Sequence, residues 1–261
     1  MSTEAIPLIR ASREAEGRPA RELAHRIVPV AALTRVAVEE MLSLFRAHFQ
    51  VLDTDAFLRD LGRKQFVIQI LDGEDRLQGF STITSFRAPF QGRTVGVVYS
   101  GDTIINPECW GTSVLPRAWL QVVMEMAAAL PRPLYWLLLS SGYKTYRMLP
   151  VFFRRFYPRF DEGTPEDVRE LLDHLAHLLA GDQFDAGTGI IRFANGATPL
   201  RPGVAEPEER RLKDPHTAFF LDRNPGHRWG DELVCLAEVA DDNLTRGGRR
   251  ILRALGREGL G

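Results

Sequence analysis

The sequence predicts a single α/β domain with a mixed, mostly antiparallel sheet flanked by helices. Three patterns carry that reading. Short runs rich in Val, Ile, Phe and Thr, at 65–71, 77–86 and 94–100, are separated by turn residues such as Gly73-Glu74-Asp75 and follow one another as a meander. Ahead of them, apolar residues recur three and four apart at Val38, Met41, Leu42, Phe45 and Phe49, the period of one helical face. After them, a helix that is apolar over most of its circumference leads into the near-continuous apolar run Leu134–Ser140, as expected of a strand covered on both faces.

The remaining elements follow from local chemistry. A strand at 26–30 opens the core, and Asp53 or Asp55 caps a short second helix carrying Phe57, Leu58 and Leu61. A loop spans 102–111. The helix at 113–130 turns Val114, Leu115, Ala118, Trp119, Val122, Val123 and Met126 inward, while Arg117, Gln121 and Glu125 share one polar stripe. Because this helix joins the strand at 94–100 to Leu134–Ser140, those two strands should meet in parallel. Residues 142–157 are helical in pattern, kinked or split by Pro150. A helix at 164–180 precedes a Gly-, Pro- and charge-rich stretch to 210 with one short strand at 190–193. Strands at 218–222 and 232–239 flank the loop Arg223-Asn224-Pro225-Gly226-His227, and a basic helix covers 245–255. The implied division is a tail at 1–25, a core at 26–160, an insert at 161–211, strands completing the core at 212–240 and a helical tail at 241–261.

Composition narrows the function. With 44% hydrophobic and 26% charged residues the chain can bury a sizeable core. Its 33 basic and 34 acidic side chains leave a net charge of -1, which argues against nucleic-acid binding by bulk electrostatics. Cys109 and Cys235 are too few and too far apart for a disulfide framework or a zinc cluster. His48, His216 and His227 have no ligand partner at helical spacing, so no metal is expected. Apolar runs fall far short of the roughly 20 residues that span a bilayer, and residues 1–19 lack the apolar core of a signal peptide. A soluble cytoplasmic protein with no membrane partner is expected. Ser140-Ser141-Gly142 lacks the Gly-x-Ser-x-Gly frame of a hydrolase nucleophile.

The chemistry-bearing stretch is Asn106-Pro107-Glu108-Cys109-Trp110-Gly111-Thr112-Ser113, where a strand turns into a helix N-terminus. Free backbone N–H groups and the positive end of the helix dipole suit an anion there; Gly111 permits close approach, and Thr112 or Ser113 can add a hydroxyl. Pro116 removes one donor. Asp102, just before, is a carboxylate candidate for base or for a backbone-bonded turn.

This element order, with Glu108-Cys109-Trp110-Gly111-Thr112-Ser113 at the strand–helix junction, resembles the GNAT superfamily of acyl-CoA-dependent N-acyltransferases. The blocks Ser100-Gly101-Asp102-Thr103, Tyr135-Trp136-Leu137-Leu138-Leu139, Gly142-Tyr143-Lys144-Thr145-Tyr146 and Gly230-Asp231-Glu232-Leu233-Val234-Cys235-Leu236 are similar to a bacterial GNAT-like group. The resemblance covers roughly 26–158 and the last two strands. It implies acyl transfer from a pantetheine thioester, carried by coenzyme A or an acyl carrier protein, to the amine of a small molecule or peptide. It implies Asp102 or Glu108 as the base and Tyr146, or else Tyr143, as the acid that meets the leaving thiolate. Ile104, Ile105, Gly111, Thr112, Ser113 and Lys144 would hold the thioester, His216 would stand on the acceptor side, and the aromatic run Phe152–Tyr157 could admit a longer acyl chain. The other readings are a GNAT-like fold that binds an acyl thioester, a metabolite or a protein without chemistry, and an interaction module built on the insert.

Overall fold

The computed structural model describes residues 23–50, 53–109, 112–127, 129–192, 200–201, 206–207 and 209–258. In chain order they form β1 (Ala24–Pro29), α1 (Arg35–His48), α2 (Thr54–Leu61), β2 (Phe66–Leu71), β3 (Leu77–Phe90), β4 (Arg93–Ile105), α3 (Val114–Ala127), β5 (Leu134–Ser140), α4 (Tyr143–Tyr146) and α5 (Met148–Phe152). Then come α6 (Glu166–Ala180), β6 (Phe184–Asp185), β7 (Ile190–Ile191), α7 (Glu209–Leu212), α8 (Pro215–Arg223), β8 (Glu232–Glu238) and α9 (Arg246–Glu258). No helix among the described residues is long and apolar enough to cross a membrane.

The strands form one sheet in the order β1-β2-β3-β4-β5-β8-β7-β6. All described neighbours are antiparallel except β4 and β5, which α3 connects in parallel as the sequence indicates. Alternation along the strands sorts two covered faces. Ile68, Ile83, Val98, Trp136, Leu138 and Cys235 pack with the apolar side of α3 and with residues of α5, α8 and α9. On the other face Val95, Val97, Leu137, Val234 and Leu236 pack under α6 through Leu171, Leu172, Leu175 and Ala176. Phe80 and Ala88 of β3 share that second face, but Phe80 lies with Val67 and Ile104 under α1 and α2. Two separate lids therefore cover one face, with a strip of sheet between them.

Several expectations need correction. Residues 218–222 belong to helix α8, not a strand. The Asp214 side chain accepts the Thr217 N–H, Pro215 occupies the first turn, and the buried residues Thr217 and Phe220 are three apart. His216 accordingly sits in a helical first turn rather than before a strand. β3 and β4 outrun their predicted ends, so the supposed loop 102–111 is strand as far as Ile105 and then a 3₁₀ turn at Pro107–Cys109. Pro150 lies within α5, and the break falls before it, between α4 and α5. The segment 161–211 supplies α6 together with β6 and β7 of the common sheet, and Ile251 and Leu252 of α9 pack on the core.

The centre of the sheet is tied by one hydroxyl. Ser100 Oγ accepts the indole N–H of Trp119 from α3 at 2.9 Å and that of Trp136 from β5 at 2.8 Å. The two indoles lie 4.0 Å apart between centroids, and Phe152 stacks on Trp119 at 5.5 Å. Ser100→Ala would leave two buried donors without an acceptor, an expected loss of about 2–4 kcal/mol in urea unfolding. A loss below about 0.5 kcal/mol, the scatter of ordinary surface changes, would show that the node is not structural.

Candidate active site

β4 and β5 part at Ser100. Their described pairing runs from Gly96 with Leu134 to Ser100 with Leu138. Beyond it β5 continues to Ser140 beside β8, while β4 runs on to Ile105 beside β3. The β3–β4 register shifts at the same place. Ser81 faces Thr103 and Ile83 faces Ser100, so Gly101 and Asp102 together oppose Thr82. This is a β-bulge, and its extra residue bends the strand and re-aims the side chains around it. Glycine is required at the bulge because a Cβ on Gly101 would stand 2.5 Å from Thr82 Oγ1 and 2.6 Å from Lys64 Cε. His48 fastens the far end of β4, its Nε2 3.0 Å from the Ile105 carbonyl oxygen.

Polar groups gather on the strip between the two lids. Lys64 follows α2, and its side chain is only 3% exposed. Its ammonium donates to both carboxylate oxygens of Asp60, at 2.7 and 2.6 Å, and lies 5.0 Å from the centre of the Tyr99 ring. Tyr99 shares the α6 face of β4 with Val95 and Val97, and Glu232 shares that face of β8 with Val234 and Leu236. The register sets Asp102 and Glu232 on opposite sides of the end of β5. Ser100 pairs with Leu138, and Leu233 pairs with Ser140.

The two carboxyls differ from ordinary ones. Burial pushes Asp102 up to about 6, with the charge of Asp60 adding and that of Lys64 opposing. Burial pushes Glu232 up to about 8, with Asp102 and Asp60 adding and Lys64 opposing. Burial and the charges of Glu232, Asp60 and Asp102 raise the Tyr99 phenol. Among the described residues neither Asp102 nor Glu232 makes a side-chain hydrogen bond, and the buried Thr82 hydroxyl has no partner. A carboxylate with a pKa near neutrality, at the mouth of a cleft, is suited to take a proton.

The other face of the parting holds the helix terminus. The Arg117 N–H bonds to the Ser113 carbonyl, so Ser113 stands just before the first turn of α3. Thr112 turns its hydroxyl back to the Cys109 carbonyl at 3.0 Å. Gly111, expected to approach an anion, lies outside the described residues, as does Trp110. Lys144 of α4 is half-buried, its ammonium 5.6 Å from the Tyr143 ring centre. The Ile104 side chain is buried beneath α1 and α2, and Glu108 is exposed in the 3₁₀ turn, apart from the carboxylate pair.

Tyr146 is placed differently from the expected acid. Its hydroxyl donates to the Pro158 carbonyl at 3.0 Å, and its ring is enclosed by Phe156, Phe219, Phe220 and His216. Burial raises its phenol. Glu232, Lys64, Asp60, Tyr99 and Thr82 were not singled out from sequence. Gly101 inside a strand-like run is the one local signal that pointed to the bulge. Among the described residues no group of three or more His, Cys, Asp or Glu side chains is placed to hold a metal ion.

No protein-family model and no curated protein matches the chain. Solved structures similar to it include a probable N-acyltransferase from Enterococcus faecalis V583, at 18% identity over 51% of this chain and 33% of that one, with a TM-score of 0.39. A GCN5-related N-acetyltransferase from Kribbella flavida aligns at 18% identity over 50% of this chain and 33% of that one, TM-score 0.38. The GNAT family N-acetyltransferase YhbS from Escherichia coli, solved with CoA, aligns at 12% identity over 49% of this chain and 67% of that one, TM-score 0.36. The aligned part of the chain spans about a third of the length of the first two.

Both raised carboxyls bind protons more tightly in the folded than in the unfolded chain. The stability linked to them is complete below their ordinary values of 3.8 and 4.5 and is lost as pH rises through about 6 for Asp102 and about 8 for Glu232. Glu232→Gln removes the second loss. Its melting temperature should exceed that of the wild type at about pH 9, and the gap should shrink toward about pH 4. A gap that is the same at both pH values would show that Glu232 is not held in its neutral form.

Proposed function

We propose that the protein is an N-acyltransferase that moves an acyl group from a pantetheine thioester to an amine through the parting of β4 and β5. The observation that carries this reading is the bulge at Gly101–Asp102, which sets a carboxyl of raised pKa where β4 leaves its parallel partner. The resemblance to the GNAT superfamily noted in the sequence agrees with it.

On this reading the thioester comes from the α3 side. The N–H groups of Val114 and Leu115, the Ser113 hydroxyl and Lys144 would meet its phosphates, whereas the Thr112 hydroxyl is already given to the Cys109 carbonyl. The edge of β4 from Gly101 to Ile105, past its pairing with β5, would meet the pantetheine arm by main-chain hydrogen bonds. The amine comes from the opposite face, between the α1–α2 lid and α6. Asp102 takes the proton as the amine nitrogen bonds to the thioester carbon, the carbon–sulfur bond breaks, and that proton passes on to the leaving thiolate. Lys64, bound to Asp60 and lying across Gly101, keeps Asp102 from being pushed higher.

A second reading, binding of an acyl thioester without transfer, draws on Pro116, which removes one donor from the first turn of α3. Stabilisation by a thioester without thiol release for any amine would select it.

The test is thiol release from acyl-CoA and acyl-carrier-protein substrates across a panel of amines. The rate should rise with pH through about 6 and then level, because Asp102 acts ionised. Asp102→Asn should lower kcat/KM by about 10²–10⁴-fold and abolish that rise. An Asn variant that keeps the rise would remove Asp102 from the chemistry.

A further inference from the structure

The parting carries more carboxyl groups than one deprotonation needs. Among the described residues, Asp60, Asp102 and Glu232 stand against one ammonium, Lys64, which is already bonded twice to Asp60. Asp102 alone suffices as a base. Glu232 belongs to a different strand, two strand spacings from β4, roughly 10 Å between main chains. Asp102 and Glu232 therefore reach the strip from opposite sides of β5. Tyr99 stands on the same face of β4, and its ring already receives one ammonium. Thr82, 0% exposed, places its hydroxyl beside the Gly101 bulge with neither a donor nor an acceptor partner, so it is free to accept from an ammonium.

We infer that the acceptor is a small molecule with at least two amine groups, one presented to Asp102 and a second held as an ammonium by Glu232. The fate of the first amine rests on the acyl-transfer reading; the binding of a dication does not. An ammonium beside Glu232 favours its ionised form against burial and against the charges of Asp102 and Asp60, so binding near neutrality displaces the Glu232 proton. Lys64, Tyr99, Asp60 and Asp102 are the charged and titratable groups that face it from the packed elements.

The experiment is calorimetric titration of the full chain with 1,5-diaminopentane, pentylamine and 1,5-pentanediol, in two buffers of different ionisation enthalpy. The diamine should bind about ten-fold more tightly than the monoamine, the equivalent of one added charged contact. The diol should not bind, and diamine binding should release a proton. Glu232→Gln should bring the diamine-to-monoamine ratio close to one and abolish proton release, with thermal melts confirming that the variant is folded; Glu232→Ala serves as the second variant. Equal affinity for monoamine and diamine, or a preference that survives in both variants, overturns the inference. Thiol release with the same amines separates the two ideas. A diamine preference in binding with no thiol release from any thioester supports the dication site and overturns acyl transfer. Transfer that is equally efficient for both amines and indifferent to Glu232 overturns the dication site and leaves acyl transfer standing.

Discussion

Ser100 Oγ receives two indole N–H groups, at 2.9 and 2.8 Å, and the three side chains come from the three elements that bound the parting of β4 and β5. Trp119 belongs to α3, Trp136 to β5, and Ser100 is the last β4 residue paired with β5. A parallel strand pair can separate only where something other than the ladder fixes both strands, or the gap would zip closed or spread. The hydroxyl does this by holding β4 and β5 to the same helix at the point of separation. With Phe152 stacked on Trp119, the node is braced from α5 as well. The bulge at Gly101–Asp102 begins one residue later, and everything placed beyond it takes its position from that fixed point.

Burying charge beside the node costs stability, and the arrangement limits that cost unevenly. Lys64 is fully answered by Asp60 in a close two-point contact, so its burial is compensated. Asp102 and Glu232 lack such partners among the described residues and respond by holding protons more tightly. Structural roles do not explain such groups, since neither carboxyl caps a helix, bonds a turn or pairs with a cation. Asp72 is the contrast. Its side chain is little exposed, yet it accepts from the Glu74 and Arg76 main chain and from the Arg76 and Gln78 side chains, and its pKa is lowered. The same residue type is thus used once to build a turn and once, at Asp102, with no side-chain hydrogen bond among the described residues.

Much of the fold was legible in the sequence because its signals are local. The Val- and Ile-rich runs of β2, β3 and β4, the heavily apolar α3 and the continuous apolar β5 each declare a period, and the parallel β4–β5 contact follows from the connecting helix. The misreading of α8 arose from Ala218-Phe219-Phe220-Leu221, four apolar residues too short to reveal a period; the Asp214-Pro215 cap just before it was the decisive clue. The site was legible only in part. Asp102 was singled out because it lies beside the strand–helix junction. Glu232 lies 130 positions away on a strand whose interior residues dominate the pattern, and Lys64 joins through a β-bulge that pairing alone defines. A sequence contains Gly101 but not the register that gives it two neighbours opposite Thr82. Tyr146 shows the converse: its place early in a helix after β5 suggested chemistry, whereas the aromatic residues that enclose it come from distant segments.

The segment read as an insert changes meaning once the two faces are separated. α6 covers Val95, Val97, Leu137, Val234 and Leu236 and so closes the second face of the sheet. Without it, that face would expose a broad apolar surface, so the 166–180 helix is required for the sheet to be soluble. It also sets the shape of the parting. α1 and α2 end over Phe80 and Ile104, α6 begins over Val97, and Tyr99 and Thr82 occupy the strip between. The face proposed to receive the amine therefore lies between two helical lids, while the α3 terminus lies on the reverse face. Two reactants entering from opposite faces can meet only where the sheet itself is open, and the one described place where adjacent central strands lose their pairing is the stretch of β4 after Ser100. On the proposed reading the paired remainder of the sheet confines the chemistry to the neighbourhood of Asp102.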